Sequence, residues 1–246
     1  MSISNQRFLV TGGTSGIGAE LVRQLSAGGA RVATNGRDLE RLHRITESTG
    51  AIGWITDLRD PSAPTQLVDN TVAALGGLDV VIANAGVQVP QTFGYRWNDA
   101  EHTALVNEIA INLTAPIALA SAAIPYLAES SGTFIGVTSG LAYAPKKSAP
   151  TYCATKSGLH TFLDSLRYQM GDAGGLVRVQ EVVLPLVATP MTAGRDEGAI
   201  DPADAAEAII NGIENRSSRV LVGKSKALLV MLSVAPRLAK RLLRDH

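Results

Sequence analysis

Tyr152 and Lys156 stand four residues apart, and Ser139 lies thirteen residues upstream of the tyrosine. On a helix, positions i and i+4 share a face, so a phenol and an ammonium at this spacing converge on one point. A free tyrosine titrates near ~10. Bringing it to about 7 for acid–base work means roughly three units, or about 4 kcal/mol. A neighbouring ammonium favours the phenolate, and Ser139 then holds the oxygen of a carbonyl or alcohol while Tyr152 moves its proton. The pair alone is a weak signal, because such a spacing arises readily by chance in a chain of 246 residues. Its weight depends on the elements that must position it.

Arg7-Phe8-Leu9-Val10-Thr11 reads as a short buried strand running into Gly12-Gly13-Thr14-Ser15-Gly16-Ile17-Gly18, after which Ala19 to Leu25 has helical periodicity and stops at Gly28-Gly29. Glycines let the backbone turn sharply and approach a pyrophosphate, whose charge sits on the helix N-terminus. An ordinary tight turn is the competing reading. A second strand, Ala30 to Thr34, follows directly and favours a dinucleotide site. Its tip carries Arg37, not an acidic residue, with Ser15 available from the turn, which predicts NADP(H) in preference to NAD(H). The alternative is a solvated Arg37 opening the helix from Asp38 to Ser48.

A third strand, Ala51 to Thr56, closes on Asp57-Leu58, where a carboxylate can accept from the adenine amino group or simply end a strand. After a helix from Ser62 to Leu75, the strand Leu78 to Ala83 ends in Asn84-Ala85-Gly86, small enough to admit a ribose. From Asp99 to Ala128 the pattern is helical, and Pro116 and Pro125 predict kinks or a break. Asn112 is a poor mid-helix residue and points to a buried hydrogen bond or a functional one. The strand Thr133 to Val137 delivers Thr138 and Ser139. Tyr152 opens a helix reaching Gly171, and the strand Leu176 to Val183 ends at Leu184-Pro185-Leu186-Val187-Ala188-Thr189. About six strands, apolar throughout and alternating with helices, predict a parallel α/β sheet covered on both faces, with ligands beyond its carboxyl edge.

Composition bounds the rest. One 246-residue domain is expected, and 22 basic against 22 acidic residues leave no overall field favouring nucleic acid or a membrane. The single cysteine, Cys153, cannot pair internally, which fits a reducing cytoplasm. As the i+1 neighbour of Tyr152 it reads as structural and not as a nucleophile. The N-terminus lacks an apolar signal-peptide core, and Ala227 to Val234 is too short to span a bilayer. His43, His102, His160 and His246 are scattered, so no metal site is expected, and His160 belongs to the packed face of the Tyr152 helix.

Taken together, Thr11-Gly12-x3-Gly16-Ile17-Gly18, Asp57, Asn84-Ala85-Gly86, Asn112, Ser139 and Tyr152-x3-Lys156 resemble the short-chain dehydrogenase/reductase family across nearly the whole chain. The resemblance implies a single-domain, doubly wound Rossmann-type sheet of seven parallel strands, and hydride transfer between NADP(H) and a carbonyl or secondary alcohol. It implies Tyr152 as acid/base, Lys156 lowering its pKa and holding the nicotinamide ribose, Ser139 orienting the substrate oxygen, and Asn112 anchoring a water in a proton relay. Gly12, Thr14, Ser15, Gly16, Ile17, Gly18, Arg37, Asp57, Leu58, Asn84, Ala85, Gly86, Tyr152, Lys156, Pro185, Val187 and Thr189 would hold the cofactor. Gln180 to Val183 and Arg219 to Lys226, with the leucine-rich run that follows, are similar to a branch named after an oxidoreductase found with D-alanine-transfer genes. Ala83 departs from a frequent asparagine, and Leu184-Pro185 from a frequent Pro-Gly.

Two segments are placed to close over a substrate: Val87 to Asn98, with Phe93, Tyr95 and Trp97, and Thr189 to Ile200. Residues 224–246 form a C-terminal helical extension, in which leucines alternate with Arg237, Lys240, Arg241 and Arg244. It rests either on the domain or a second subunit of a homo-oligomer, dimer or tetramer, or on an anionic membrane. A competing class is a dinucleotide-binding module without turnover that acts through this helix. An epimerase or dehydratase using the same tyrosine fits less well in so short a chain.

Overall fold

A computed structural model describes residues 2–194 and 197–244. Seven strands form one parallel sheet: β1 (Arg7–Val10), β2 (Arg31–Gly36), β3 (Ile52–Ile55), β4 (Val80–Ala83), β5 (Thr133–Ser139), β6 (Arg178–Leu184) and β7 (Arg219–Leu221). Their order is β3-β2-β1-β4-β5-β6-β7. The three-residue β7, which periodicity did not isolate, pairs with β6 through Val220 opposite Val182. The order reverses between β1 and β4, where a doubly wound sheet opens its ligand crevice.

Helices α1 (Gly16–Ala27), α2 (Leu39–Thr49) and α3 (Ala63–Leu75) follow the first three strands, and α4 (Asp99–Ile109) follows β4. A π-helical turn, Ala110–Thr114, joins α4 to α5 (Ala115–Glu129). Beyond β5 and β6 come α6 (Pro150–Asp172) and α7 (Pro202–Glu214), and α8 (Ser225–Val234) and α9 (Pro236–Arg244) end the chain. One face of the sheet buries Leu21, Val22 and Leu25 of α1 with Ile209 and Ile213 of α7. The other buries Leu67 and Val68 of α3, Leu119, Ala123 and Leu127 of α5, and Leu159 and Leu163 of α6. The central strands face helices on both sides, which is why they are apolar throughout.

The run Asp99–Glu129 is continuous, where the two prolines predicted kinks or a break. Pro116 follows closely on the π turn, whose wider course accommodates the missing N–H, and Pro125 is carried inside the helix. By length and composition alone this run is long and apolar enough to cross a membrane, and the sequence reading above overlooked it. Its Leu119, Ala120, Ala123 and Leu127 are packed into the core instead.

Candidate active site

The glycine turn leaves β1 at the switch point. Gly12 and Gly16 have φ of +68° and +52°, a backbone region that side chains resist. A Cβ on Gly18 would lie 2.2 Å from the Gly12 carbonyl oxygen, so α1 meets the turn as closely as it does only because residue 18 is glycine. Neighbouring strands hold the turn in place. The Gly12 amide donates to Asn35 Oδ1 at 3.1 Å, and Thr11 Oγ1 accepts from the Asn84 and Ala85 amides at 3.0 and 3.1 Å. Asn84 Nδ2 returns a hydrogen bond to the Thr11 carbonyl at 2.9 Å.

At the β2 and β3 tips, Arg37 stands near Asp57, whose carboxylate is gripped by Arg59 through Nε (2.8 and 3.0 Å) and Nη2. The Arg59 hydrogen bonds, with charge from Arg37 as well, hold Asp57 below the usual carboxylate range. Arg59 was not a sequence candidate. Its only signal is the i+2 spacing from Asp57.

Ser139 ends β5, and Tyr152 and Lys156 lie in the first two turns of α6. Ser139 is close enough to the Tyr152 hydroxyl to favour its ionised form, and Lys156 Nζ lies 5.7 Å from the Tyr152 ring centroid while donating to the Val137 carbonyl at 2.9 Å. The electrostatics run against the sequence expectation. Burial pushes Tyr152 up to about 12, with Ser139 pulling the other way, and lowers Lys156 to about 8. The lysine spends its hydrogen bond on β5 and lies beside the ring, so in this state it does not offset the phenol's burial.

Asn112 is fully buried in the π turn. Its Oδ1 accepts from the Val87 amide and its Nδ2 donates to the Val87 carbonyl, each at 2.8 Å. Pro116 has no N–H to give the Asn112 carbonyl four residues back, and the wider π turn occupies that stretch. A Cβ on Gly86 would lie 3.3 Å from Asn112 Oδ1 and 3.5 Å from Lys156 Nζ, so residue 86 separates the two groups by backbone alone.

One turn before Asn112, Glu108 is fully buried and accepts from the Val89 amide and from Gln91 Nε2, both at 3.4 Å. Gln91 Oε1 in turn accepts from Thr151 Oγ1 at 2.6 Å, tying this loop to the first turn of α6. Burial raises the Glu108 carboxyl to about 7, and its charge favours the ammonium of Lys156. Glu108 was also missed, although its i−4 spacing from Asn112 placed it on the same helical face. Behind Ser139, the buried Glu181 accepts from Thr138 Oγ1 (2.8 Å), Tyr143 Oη (3.0 Å) and Arg219 Nε (2.7 Å). His160 Nδ1 joins it at 3.1 Å, so this histidine packs against the site's scaffold as expected.

One cleft of about 1250 Å³ is lined by every sequence candidate except Asn112, which stands behind Gly86 and beside the lining residue Ile111. The substrate side also includes Leu141, Lys146, Met191, Leu228 and Leu243. Of the two proposed lids, Thr189 to Ile200 contributes lining residues, whereas Val87 to Asn98 contributes only Val87 among its apolar and aromatic side chains, with Gln88. Phe93 and Trp97 pack on each other at 4.6 Å, and Trp97 on His102, away from the cleft. Arg195 and Asp196 of the Thr189 to Ile200 segment, and His246, lie outside the described residues. Cys153 is buried with its thiol pushed up, which leaves little thiolate for attack. Among the described residues no group of His, Cys, Asp and Glu is arranged to hold a metal.

Comparison with known proteins identifies the family and the fold. The profile described as short chain dehydrogenase matches residues 6–199. The chain is 34% identical to the uncharacterized oxidoreductase DltE of Bacillus subtilis over 191 residues, covering 77% of this chain and 74% of the relative. It is 30% identical to a hydroxysteroid 11-beta-dehydrogenase 1-like protein of Gallus gallus, covering 85% and 76%. A short chain dehydrogenase from Burkholderia cenocepacia, solved in complex with NADP, superposes with a TM-score of 0.80 at 26% identity, covering 89% of this chain and 95% of that one. The chain belongs to the short-chain dehydrogenase family, in the branch of the DltE-like oxidoreductases.

Proposed function

We propose that this oxidoreductase uses NADP(H) to interconvert a carbonyl compound and its secondary alcohol. The observation that carries the reading is the meeting of Ser139, Tyr152 and Lys156 on the wall of the cleft that begins at the glycine turn. The cleft fits a dinucleotide: Gly12, Gly16 and Gly18 line it without side chains at the N-terminus of α1, where backbone amides can meet a pyrophosphate. Arg37, with Arg59 beside it, offers guanidinium charge where a 2′-phosphate would stand. Asn84 to Gly86 would border the ribose, and Pro185, Val187 and Thr189 the nicotinamide end.

Bound there, the dinucleotide supplies or accepts the hydride. In the reducing direction Tyr152 gives its phenolic proton to the carbonyl oxygen, and in the oxidising direction its phenolate takes the alcohol proton. Ser139 donates to the same oxygen and orients it. Lys156 supplies the positive charge that favours the phenolate, and Asn112 fixes the Val87 backbone beside it. We also place the protein in the cytoplasm, as one domain and as a homo-oligomer. The unpaired thiol of Cys153 and the exposed Val106, Ile109 and Ile117 along α4 and α5 support that reading.

Titration of NADPH and NADH by nicotinamide fluorescence, followed by a carbonyl panel with the tighter cofactor, tests the proposal. Tyr152→Phe should keep NADPH affinity within about twofold and lose turnover by roughly 10²–10⁴. Equal turnover in the variant would remove the mechanism, and cofactor binding with no turnover on any carbonyl would favour a binding module.

A further inference from the structure

Charge is not spread evenly along this chain. Six of its 22 basic residues lie within 224–244 and none of its 22 acidic ones does, so the remainder carries 16 basic against 22 acidic residues. Those positions are the turn into α8, α8 itself and α9. Lys226, Arg237, Lys240, Arg241 and Arg244 are exposed. Between them runs an apolar row at every fourth position: Val230, Val234, Leu238 and Leu242 are 58%, 81%, 53% and 48% exposed. Spacing of four keeps each pair on one face within its own helix.

The opposite side of the two helices belongs to the protein. Ala239 is fully buried, Leu228 reaches Gly140, and Leu228 and Leu243 line the cleft. The Lys147 amide donates to the Arg244 carbonyl at 3.0 Å, and Lys224 Nζ to the Gly198 carbonyl at 3.2 Å. The hairpin is therefore anchored on the substrate side, and its outer face presents valines and leucines amid cations.

We propose that the outer face of α8 and α9 docks on an anionic lipid bilayer. An apolar row flanked by lysines and arginines, with no carboxylate among them, matches an interfacial helix whose side chains enter the acyl boundary while its cations meet lipid phosphates. The net negative remainder of the chain is repelled by the same surface, so charge sets the orientation as well as the affinity. Docking in this orientation brings the substrate side of the cleft to the lipid. Neither cofactor identity nor hydride chemistry enters the argument, and the test reads binding directly.

The full-length protein is floated with phosphatidylcholine vesicles and with vesicles containing about 30% phosphatidylglycerol. Binding to the anionic vesicles alone, weakening as salt rises from about 0.05 to 0.5 M, is the expected result. Replacing Arg237, Lys240 and Arg241 together by alanine should lower the partition coefficient about a hundredfold, at roughly fivefold per cation. Leu238→Glu with Leu242→Glu should abolish binding while NADPH affinity and thermal midpoint stay unchanged. No binding to anionic vesicles, or binding indifferent to both sets of substitutions, overturns the proposal. So does a leucine variant that sediments as a smaller species, since the row would then be covered by a second copy of the chain.

Discussion

Lys156→Met removes one charge and keeps most of the side-chain volume. In the folded protein the ammonium lies 5.7 Å from the Tyr152 ring centroid. The resting ammonium does not offset the phenol's burial, so its effect is read on the phenolate: with an effective dielectric constant of about 20, an ammonium about that far from a phenolate attracts it by about 3 kcal/mol, or about two pKa units. In alcohol oxidation, activity rises with pH as the phenolate forms. The variant's rising limb should therefore move up by about two units, and kcat at pH 7 should fall about a hundredfold. Unfolding does not explain such a loss, because burial already holds the ammonium down at about 8, against 10.5 for a free lysine. A base with a lowered folded pKa destabilises the native state below that pKa, and the loss is recovered between about 8 and 10.5. Methionine abolishes that penalty, so urea unfolding at pH 7 should show the variant at least as stable as the parent. A pH–rate limb that stays within half a unit of the parent's, in a folded variant that still binds NADPH, would refute the electrostatic role.

Arg37→Asp places a carboxylate at the β2 tip and should turn the preference in kcat/KM toward NADH by at least tenfold. An unchanged ratio would mean that Arg37 is only solvated, or that Arg59 holds the 2′-phosphate alone. Glu108 has a folded pKa of about 7 against 4.5 for a free carboxyl, so native stability should fall by about 3 kcal/mol as pH rises from 4.5 to 7. Glu108→Gln should flatten that slope in urea unfolding at pH 5 and pH 8, and a slope identical to the parent's would contradict the assignment. Gly18→Ala drives a methyl toward the Gly12 carbonyl and should cost about 1–3 kcal/mol of stability together with NADPH affinity. A variant as stable and as tightly binding as the parent would show that the turn has slack.

The site was legible where chemistry follows from residue type and order along the chain. Glycines after the first strand, an arginine at the second tip and a Tyr-x3-Lys pair after a serine-ended strand all fall at the carboxyl edge of a parallel sheet. The parallel sheet itself follows from apolar strands that alternate with helices. What stayed hidden depends on contacts across the fold. Arg59 matters because it grips Asp57, and Glu108 because it holds Val89 and Gln91, the latter tied in turn to Thr151 of α6. Glu181 matters because three elements aim polar groups at one buried carboxylate. Burial also decides signs that spacing cannot. The i, i+4 rule placed Lys156 beside Tyr152, but only the fold shows the lysine donating to β5 and the phenol raised to about 12.

The π turn shows how one local irregularity couples the two halves of the site. A regular helix through residues 110–116 would direct the Pro116 ring against the Asn112 carbonyl, the contact that makes proline costly inside helices. The wider turn accompanies that proline and leaves the Asn112 side chain bridging both backbone atoms of Val87. Val87 follows the Asn84-Ala85-Gly86 turn, whose amides are fixed by Thr11 at the start of the glycine loop. The Asn112 amide nitrogen also reaches Thr155 Oγ1, next to Lys156, at 3.3 Å. Asn112 thus stands behind the cleft wall and sets the distance between the cofactor half and the Tyr152 helix. Its replacement by alanine should loosen both halves together: NADPH affinity and kcat should fall in one variant, although Asn112 does not line the cleft.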